Sequence, residues 1–143
     1  MKLIVKSYLY RTAYNKLIDT YRKGKKKDEM LSAYYHTAVM RAVNLDNDLD
    51  EKVSTMLFRI VQELTHNIFK HAQAKNVLIQ VIQNDNILNL LVEDDGVGFD
   101  ISKLKVEGIG LTNIRSRVEF LQGKVDFDSV VDEGTTVNIS IPV

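Results

Sequence analysis

The chain has 143 residues, and its 19 Lys and Arg balance its 19 Asp and Glu, so the formal net charge is zero. This balance disfavours a protein that coats a nucleic acid or an anionic membrane, because both functions need an excess of basic residues. The absence of cysteine excludes disulfides, thiolate metal sites and cysteine nucleophiles. No stretch reaches the roughly 18 apolar residues of a membrane span or resembles a signal peptide, which favours a cytoplasmic domain.

The two parts of the chain carry opposite charge. Residues 1–30 hold nine basic and three acidic side chains, a net +6, and residues 31–143 hold ten basic and sixteen acidic ones, a net −6. The basic run from Arg22 to Lys27 could bind phosphate or nucleic acid, or be a solvated helix end followed by a linker. We predict a basic helical leader or linker over 1–30 and a separate domain over 31–143.

The spacing of apolar residues predicts the elements in chain order. In the long central helix, Leu57, Val61, Leu64 and Ile68 recur at spacings of three and four. Gly123 is the predicted C-terminal cap of the last helix. The mixed order predicts a two-layer α/β sandwich, with helices on one face of a mixed, mostly antiparallel sheet. The predicted elements are a helix over 7–22, a strand over 33–45, a helix over 50–74, a hairpin of strands over 77–82 and 87–92, a helix over 111–122, and closing strands around 125–127 and 137–141.

Five of the seven glycines fall in three clusters outside the predicted elements. The clusters are Asp94-Asp95-Gly96-Val97-Gly98-Phe99, Gly108-Ile109-Gly110-Leu111 and Glu133-Gly134-Thr135-Thr136. Glycine lets a ligand approach the backbone closely, and glycines before a helix leave N–H groups that favour an anion. Each cluster alone is also consistent with an ordinary turn or helix start, and neither a Walker A pattern nor a strand-linked GxGxxG occurs.

The long helix has a polar stripe beside its apolar one. Glu63, Asn67 and Lys70 fall within about 60° of one another at 3.6 residues per turn. A carboxylate, an amide oxygen and an ammonium suit a phosphate with a hydrated Mg²⁺, which takes oxygen ligands and keeps several waters. By spacing alone, a solvated face of an amphipathic helix explains the same residues.

Taken in order, these patterns resemble one superfamily. Glu63-x-x-x-Asn67-x-x-Lys70-His71, then Asp94-x-Gly96-x-Gly98, Gly108-x-Gly110 and Gly134-Thr135, are similar to the N, G1, G2 and G3 boxes of the Bergerat ATP-binding fold. Sensor histidine kinases, type II topoisomerases, a heat-shock chaperone and a mismatch-repair ATPase share that fold. The segments LFRIVQELTHNIFKHAQA, DDGVGFD, GIGLTNIRSRVEFLQGKV and GTTVNISIPV narrow the resemblance to the catalytic domain of histidine kinases paired with helix-turn-helix response regulators. It covers about residues 50–143.

The resemblance implies roles for residues at the base of the nucleotide. Asp94 would accept a hydrogen bond from the adenine amino group, and an unpaired acceptor there would be costly. Gly96 and Gly98 would keep the chain clear of the adenine. Thr135 would support the same base through its hydroxyl or a water molecule.

The resemblance also implies roles at the phosphates. Asn67 would be the protein ligand of Mg²⁺, and Glu63 would be the general base or would orient the attacking group. Lys70 would offset phosphate charge, and His71 would reach the phosphates or ribose or be a packed histidine. The segment 100–107 would be a short ATP lid. The residues implied to open the following helix towards the phosphates are Gly108, Gly110 and Leu111.

The sequence departs from the family pattern at three points. Glu133 precedes Gly134 where a second glycine is common, and His66 occupies a position more often Thr or Asn. His66 lies about 60° from the polar stripe, so we expect little effect on Mg²⁺. None of the three histidines resembles a phosphoacceptor, because His36 lies in a strand-like segment and the other two lie in the nucleotide-binding helix.

These observations favour the ATP-binding catalytic domain of a sensor histidine kinase. It would use ATP and Mg²⁺ to phosphorylate a histidine on a separate dimerisation domain, with a response regulator downstream and no direct contact with nucleic acid. Membrane association of the full-length protein is left open. The alternatives are a serine kinase of the anti-sigma-factor type and a non-catalytic nucleotide-binding interaction module.

Overall fold

The computed structural model describes residues 2–6, 49–103 and 108–143. The helix Glu51–Asn67 continues into a π-helical turn, Ile68–Ala72, and a short 3₁₀ turn, Ile101–Lys103, follows the strand Ile87–Asp94. The predicted helix over 7–22 and strand over 33–45 lie outside the described residues, and the domain boundary near residue 30 stays a prediction. The elements are β1 (Lys2–Lys6), α1 (Glu51–Asn67), β2 (Asn76–Asn84), β3 (Ile87–Asp94), α2 (Ile109–Phe120), β4 (Lys124–Val130) and β5 (Gly134–Pro142).

The described strands form one five-stranded sheet in the order β1-β2-β3-β5-β4. Strand β1 runs parallel to β2, whereas the other neighbouring strands are antiparallel. The predicted mixed, mostly antiparallel sheet is therefore confirmed, and so is the β2–β3 hairpin. Strand β1 was not predicted, because three apolar residues between lysines are too short a run to show a period.

The inward face of the sheet is apolar and is covered by α1 and α2. Alternate residues of a strand point to the same side, and the register aligns them across strands, as with Ile79, Val92 and Val137. The predicted stripe of the long helix is buried against this face, so the two-layer α/β architecture is confirmed. The buried core consists mainly of Leu57, Ile60, Val61, Leu64, Ile68, Val77, Ile79, Leu88, Leu90, Val92, Ile114, Val118, Val137, Ile139 and Ile141.

At one end of the sheet the inward face becomes polar. Val77 lies opposite Asp94, Asp94 opposite Thr135, and Thr135 opposite Ser129, so one row crosses β2, β3, β5 and β4. Directly opposite residues have Cβ atoms about 4.5–5.5 Å apart, so neighbouring members of this row can interact. A carboxyl and two hydroxyls therefore stand side by side where the apolar core ends.

The ends of the two helices are fixed by different contacts. The Asp50 carboxylate accepts a hydrogen bond from the Lys52 N–H at 2.7 Å and caps α1. At the end of α2 the left-handed conformation is adopted by Gln122, with φ of 55°, and not by the predicted Gly123. Gly123 still takes part in the cap, because its N–H donates to the Val118 carbonyl at 2.9 Å. A Cβ at Gly123 would lie 2.7 Å from the carbonyl oxygen of Ser140, so β5 leaves no space for a side chain.

Candidate functional site

A cavity of about 530 Å³ lies between α1, the beginning of α2 and the polar end of the sheet. Ligand sites commonly have volumes of about 300–1,000 Å³. Every predicted site residue except Gly96 lines this cavity, so the chain brings together positions that are up to 72 residues apart, from Glu63 to Thr135. The lining residues among those predicted are Glu63, Asn67, Lys70, His71, Asp94, Gly98, Gly108, Gly110, Leu111 and Thr135.

Apolar side chains to which the sequence analysis gave no role in the site form much of the remaining wall. Phe127 is one of them, and the Arg115 guanidinium lies 4.9 Å from the centroid of its ring. Those in strands and helices have the same alternation or helical spacing as ordinary core residues, so their positions in the sequence do not distinguish them. His66 also lines the cavity, although the helical wheel places it beside the polar stripe. The additional apolar lining residues are Leu64, Ile68, Ala72, Val92, Phe99, Phe127 and Val137.

Asp94 is the one buried carboxylate among the described residues, with 6% of its surface exposed. It ends β3, and its Oδ1 accepts a hydrogen bond from the Gly96 N–H at 2.9 Å. Burial raises the pKa of this carboxyl, the Gly96 hydrogen bond lowers it, and the nearby Asp95 and Glu93 charges raise it further. A buried acceptor on a cavity wall favours a ligand that brings a hydrogen-bond donor to it.

The adjacent Asp95 lies in a different environment from Asp94 and has a structural role. Its Oδ1 accepts from the backbone N–H groups of Lys75 and Asn76 at 2.8 and 2.7 Å. Its Oδ2 accepts from the Asn76 Nδ2 at 2.7 Å. The hydrogen bonds from Asn76 are the main reason that the pKa of Asp95 is lowered. Asp95 therefore ties the loop to the beginning of β2, while Asp94 faces the cavity.

The loop after β3 is held between the end of α1 and the β4–β5 turn. The Val97 N–H donates to the Ala72 carbonyl at 2.8 Å, and the Asp132 N–H donates to the Val97 carbonyl at 2.8 Å. A Cβ at Gly96 would lie 2.7 Å from the Asp94 Oδ1 and against Ala72, so the protein itself requires this glycine. That Gly96 and Gly98 leave room for a base stays a prediction.

Gly134 sets the distance between β5 and the end of β3. Its φ of 111° lies in a region that L side chains rarely adopt, and an added Cβ would collide with the Asp94 carbonyl oxygen. The glycine at this position allows the two strands to pair up to Thr135, which lies opposite Asp94. Thr135 thereby faces the cavity beside the buried carboxyl.

The other end of the cavity is formed where α2 begins against α1. A Cβ at Gly110 would lie 2.6 Å from the Glu63 Oε1 and 3.3 Å from the Asn67 Oδ1. The first backbone N–H groups of a helix have no partner within the helix and favour an anion. Exposed Lys70 and His71 lie on the π-helical turn, whose wider hydrogen bonding shifts them from the positions of a regular α-helix.

The amide oxygen of Asn67 is the atom at this end whose chemistry suits a magnesium ion. The Asn67 amide lies at this wall, with its Nδ2 at 3.1 Å and its Oδ1 at 3.3 Å from the position that a Cβ at Gly110 would take, and Mg²⁺ prefers oxygen ligands. No group of three or more His, Cys, Asp or Glu side chains suited to a metal occurs among residues 2–6, 49–103 and 108–143. An ion here would take few ligands from this part of the protein, and phosphates and waters would complete its shell.

Comparison with known proteins identifies the class to which this fold and cavity belong. Residues 52–143 match the family described as histidine kinase-, DNA gyrase B-, and HSP90-like ATPase, and the chain belongs to this family. Residues 52–143 are therefore an ATP-binding domain, as the resemblance implied.

Two of the similar proteins are named as histidine kinases. The signal transduction histidine-protein kinase/phosphatase DegS of Brevibacillus brevis is 36% identical over 93 residues, which cover 65% of this chain and 24% of the relative. The oxygen sensor histidine kinase NreB of Staphylococcus carnosus is 33% identical over 125 residues, or 87% of this chain and 35% of the relative. The chain thus spans about a quarter to a third of the length of these relatives.

Solved structures of histidine kinases have the same fold. The histidine kinase domain of the blue-light activated histidine kinase from Erythrobacter litoralis EL346 matches with a TM-score of 0.61 and 21% identity, covering 78% of this chain and 60% of that one. Histidine kinase AdeS of Acinetobacter baumannii matches with a TM-score of 0.55 and 17% identity, covering 62% and 46%. Within the described parts of the chain, no helix combines the length and the apolar character that crossing a membrane requires.

Proposed function

We propose that the domain binds Mg-ATP in this cavity and transfers the γ-phosphoryl group to a histidine of a separate dimerisation domain in a sensor kinase. The observation that carries the proposal is the cavity itself, which has a buried acceptor at one end and a carboxylate, an amide and a helix N-terminus at the other. A response regulator would then receive the phosphoryl group. Because ATP is a cytoplasmic substrate, the domain would act in the cytoplasm.

The sheet end of the cavity would bind the adenine. The Asp94 carboxylate accepts from the exocyclic amino group, and Thr135 contacts the same edge of the base from the neighbouring strand. The apolar wall that includes Val92, Phe127 and Val137 packs against the ring and excludes water from these hydrogen bonds. Excluding water strengthens a hydrogen bond and makes the absence of a partner more costly, which favours adenine over bases without the amino group.

The α2 end would bind the phosphates. Lys70 offsets their charge, His71 lies at their rim or that of the ribose, and the N–H groups of the segment beginning at Gly108 face them. The amide oxygen of Asn67 would hold Mg²⁺, which neutralises phosphate charge when it is bound.

Glu63 would act on the incoming histidine. The imidazole nitrogen forms a bond to the γ-phosphorus while the bond from that phosphorus to the bridging oxygen breaks, and ADP leaves. Glu63 orients the imidazole or accepts its proton, because its carboxylate lines the cavity beside Asn67 and Gly110. Catalysis of phosphoryl transfer is mostly positioning and neutralisation of charge, which suits a site with few reactive groups.

Transfer of label from ATP tests this function. The chain is incubated with Mg²⁺, ATP labelled on the γ-phosphate and a separately supplied histidine-bearing hairpin of a sensor kinase. We expect label on the hairpin that is lost in acid and stable in alkali, as phosphohistidine is. Label that survives acid and is lost in alkali would indicate a serine kinase. Binding of ATP without any transfer would indicate a non-catalytic module.

Gly110→Ala should impair transfer more than folding. The added Cβ would push the Glu63 carboxylate and Asn67 amide from their places, and a misplacement of about 1 Å can cost about 100-fold in rate. The fold should tolerate the change, since the Glu63 side chain is flexible and Ala favours a helix over Gly by roughly 1 kcal/mol.

Transfer rates and thermal denaturation of Gly110→Ala measure the two effects. Asn113→Ala is the matched control, because Asn113 is exposed on the first turns of α2 and does not line the cavity. Equal transfer rates in both variants would show that the space at Gly110 is not needed for the reaction.

A further inference from the structure

One hydroxyl, that of Ser129 on β4, joins three parts of the sheet end of the cavity. Its Oγ accepts a hydrogen bond from the Phe99 N–H at 2.9 Å and donates to the Gly134 carbonyl at 3.1 Å. It also lies 2.9 Å from the Thr135 Oγ1. Phe99 and Thr135 both line the cavity, whereas Ser129 stands behind them.

The number of protons on the Ser129 hydroxyl determines which group donates in each of these hydrogen bonds. A serine hydroxyl has one proton to donate and two lone pairs that accept. The Gly134 carbonyl can only accept, so it takes the Ser129 proton, and the Phe99 N–H occupies one lone pair. All three contacts are satisfied together only if the Thr135 hydroxyl donates to the second lone pair of Ser129.

The orientation of the Thr135 hydroxyl determines whether it donates or accepts in a hydrogen bond with a ligand. A hydroxyl that donates its proton to Ser129 presents only oxygen lone pairs to the cavity. The neighbouring Asp94 carboxylate also presents oxygen, and Thr135 lies directly opposite it across β3 and β5. Two adjacent acceptors suit an amino group, which carries two N–H donors, and disfavour a carbonyl oxygen at the same place.

We propose that Ser129 is a positioning residue that sets nucleobase specificity by keeping the Thr135 hydroxyl in its accepting orientation. The proposal rests on binding of ATP in this cavity. It adds that the site selects the base by its amino edge, and that a group outside the binding surface controls this selection. Adenine has an amino group at position 6 and hypoxanthine has a carbonyl oxygen there. The site should therefore prefer ATP to ITP, which carries the same ribose and phosphates.

Binding of ATP and ITP to Ser129→Ala tests the proposal. Without Ser129, the Thr135 hydroxyl can rotate and donate to the carbonyl of ITP, so the ratio of the ITP Kd to the ATP Kd should fall about three- to tenfold. A purely structural Ser129 would weaken both ligands by the same factor, and an unchanged ratio in a folded Ser129→Ala would overturn the proposal. Ser129→Thr retains a hydroxyl and should keep the wild-type ratio.

A second variant tests the route through Thr135 even if Ser129→Ala does not fold. Thr135→Val removes the hydroxyl at nearly constant shape, so by itself it should lower the ratio of the ITP Kd to the ATP Kd. Adding Ser129→Ala to Thr135→Val should lower this ratio no further. An unchanged ratio in Thr135→Val, or an independent effect of Ser129 in that background, would overturn the proposal.

The matched control is Ser140→Ala, which removes another half-buried hydroxyl of the same sheet. Ser140 donates to the Asn89 Oδ1 at 2.8 Å, away from the polar row, so its loss should leave the ratio unchanged. Wild-type protein that binds neither nucleotide would contradict the proposed ATP site itself. Wild-type protein that binds ATP and ITP equally would contradict only the specificity role of Ser129.

Discussion

Replacing Asp94 with Asn should weaken ATP binding by about 10- to 100-fold, because a hydrogen bond to a charged group is worth about 1.5–3 kcal/mol. Asn can still accept from the Gly96 N–H through its Oδ1. Its Nδ2 is a donor and would then face the amino group of adenine, which is also a donor, so no hydrogen bond could form between them. Affinity should fall although the shape of the cavity is nearly unchanged.

The same change should stabilise the ligand-free domain. Burial raises the pKa of Asp94, so the folded state still holds a proton at pH values where the unfolded chain has released it. The free energy of unfolding therefore decreases as the pH rises from the ordinary value of 3.8 through the raised pKa. At neutral pH, Asp94→Asn removes this cost, so we expect a higher Tm than that of the wild type. Below the ordinary pKa of Asp the two proteins should be equally stable.

Asp95→Asn is the matched control for Asp94, since the two carboxylates are adjacent in sequence. Hydrogen bonds from Asn76 and Lys75 lower the pKa of Asp95, so its ionised form stabilises the fold. Asp95→Asn should lower the Tm at neutral pH and leave ATP affinity nearly unchanged. Titration with a fluorescent ATP analogue and thermal denaturation across pH measure both properties. Equal affinities in wild type and Asp94→Asn would remove Asp94 from the site.

Glu63→Gln should reduce phosphoryl transfer by about 100- to 10,000-fold, which is the usual contribution of a positioned acid or base. Gln has nearly the same shape, so its contact with the first turn of α2 near Gly110 is preserved. ATP affinity should remain close to that of wild type, because Glu63 acts on the incoming histidine in the transition state rather than on bound ATP.

Single-turnover transfer of labelled phosphate to the supplied hairpin measures this effect, and ATP titration of the same protein separates it from binding. Glu51→Gln is the matched control, since Glu51 is an exposed carboxylate on the same helix and does not line the cavity. Transfer by Glu63→Gln at the wild-type rate would exclude the catalytic role of Glu63. A loss explained entirely by weaker ATP binding would also exclude it.

The parts of the fold that the sequence predicts are those with local causes. The stripe from Leu57 to Ile68 predicts a helix that packs on one side, and the runs around Ile79 and Leu90 predict a hairpin, because the period is visible within each segment. Strand β1 is not predicted from its own sequence, because a strand of five residues is too short to show a period. It is recognised by its pairing with β2, about 70 residues away in sequence.

Prediction of the site has a similar limit. The polar residues Asp94, Asn67 and Thr135 stand in recognisable boxes, so the resemblance identifies them without coordinates. Phe127 and Ser129 alternate on β4 as any strand residues do, and their part in the site follows from the register of β4 with β5. The hydrogen bonds of Ser129 depend on three segments meeting, which no local pattern reveals.

A titration of the isotopically labelled chain with Mg-ATP, followed by NMR of the backbone amides, tests whether ATP binds in this cavity. If ATP binds in the cavity, the largest shifts should occur at Gly96, Gly98, Gly110 and Thr135, and the β2–β3 turn at Asp85 should remain unchanged. The same titration of Asp94→Asn should need a higher concentration of ATP to reach the same shifts. Shifts that avoid the cavity would contradict binding of ATP there, and identical titrations of wild type and Asp94→Asn would contradict the role of Asp94.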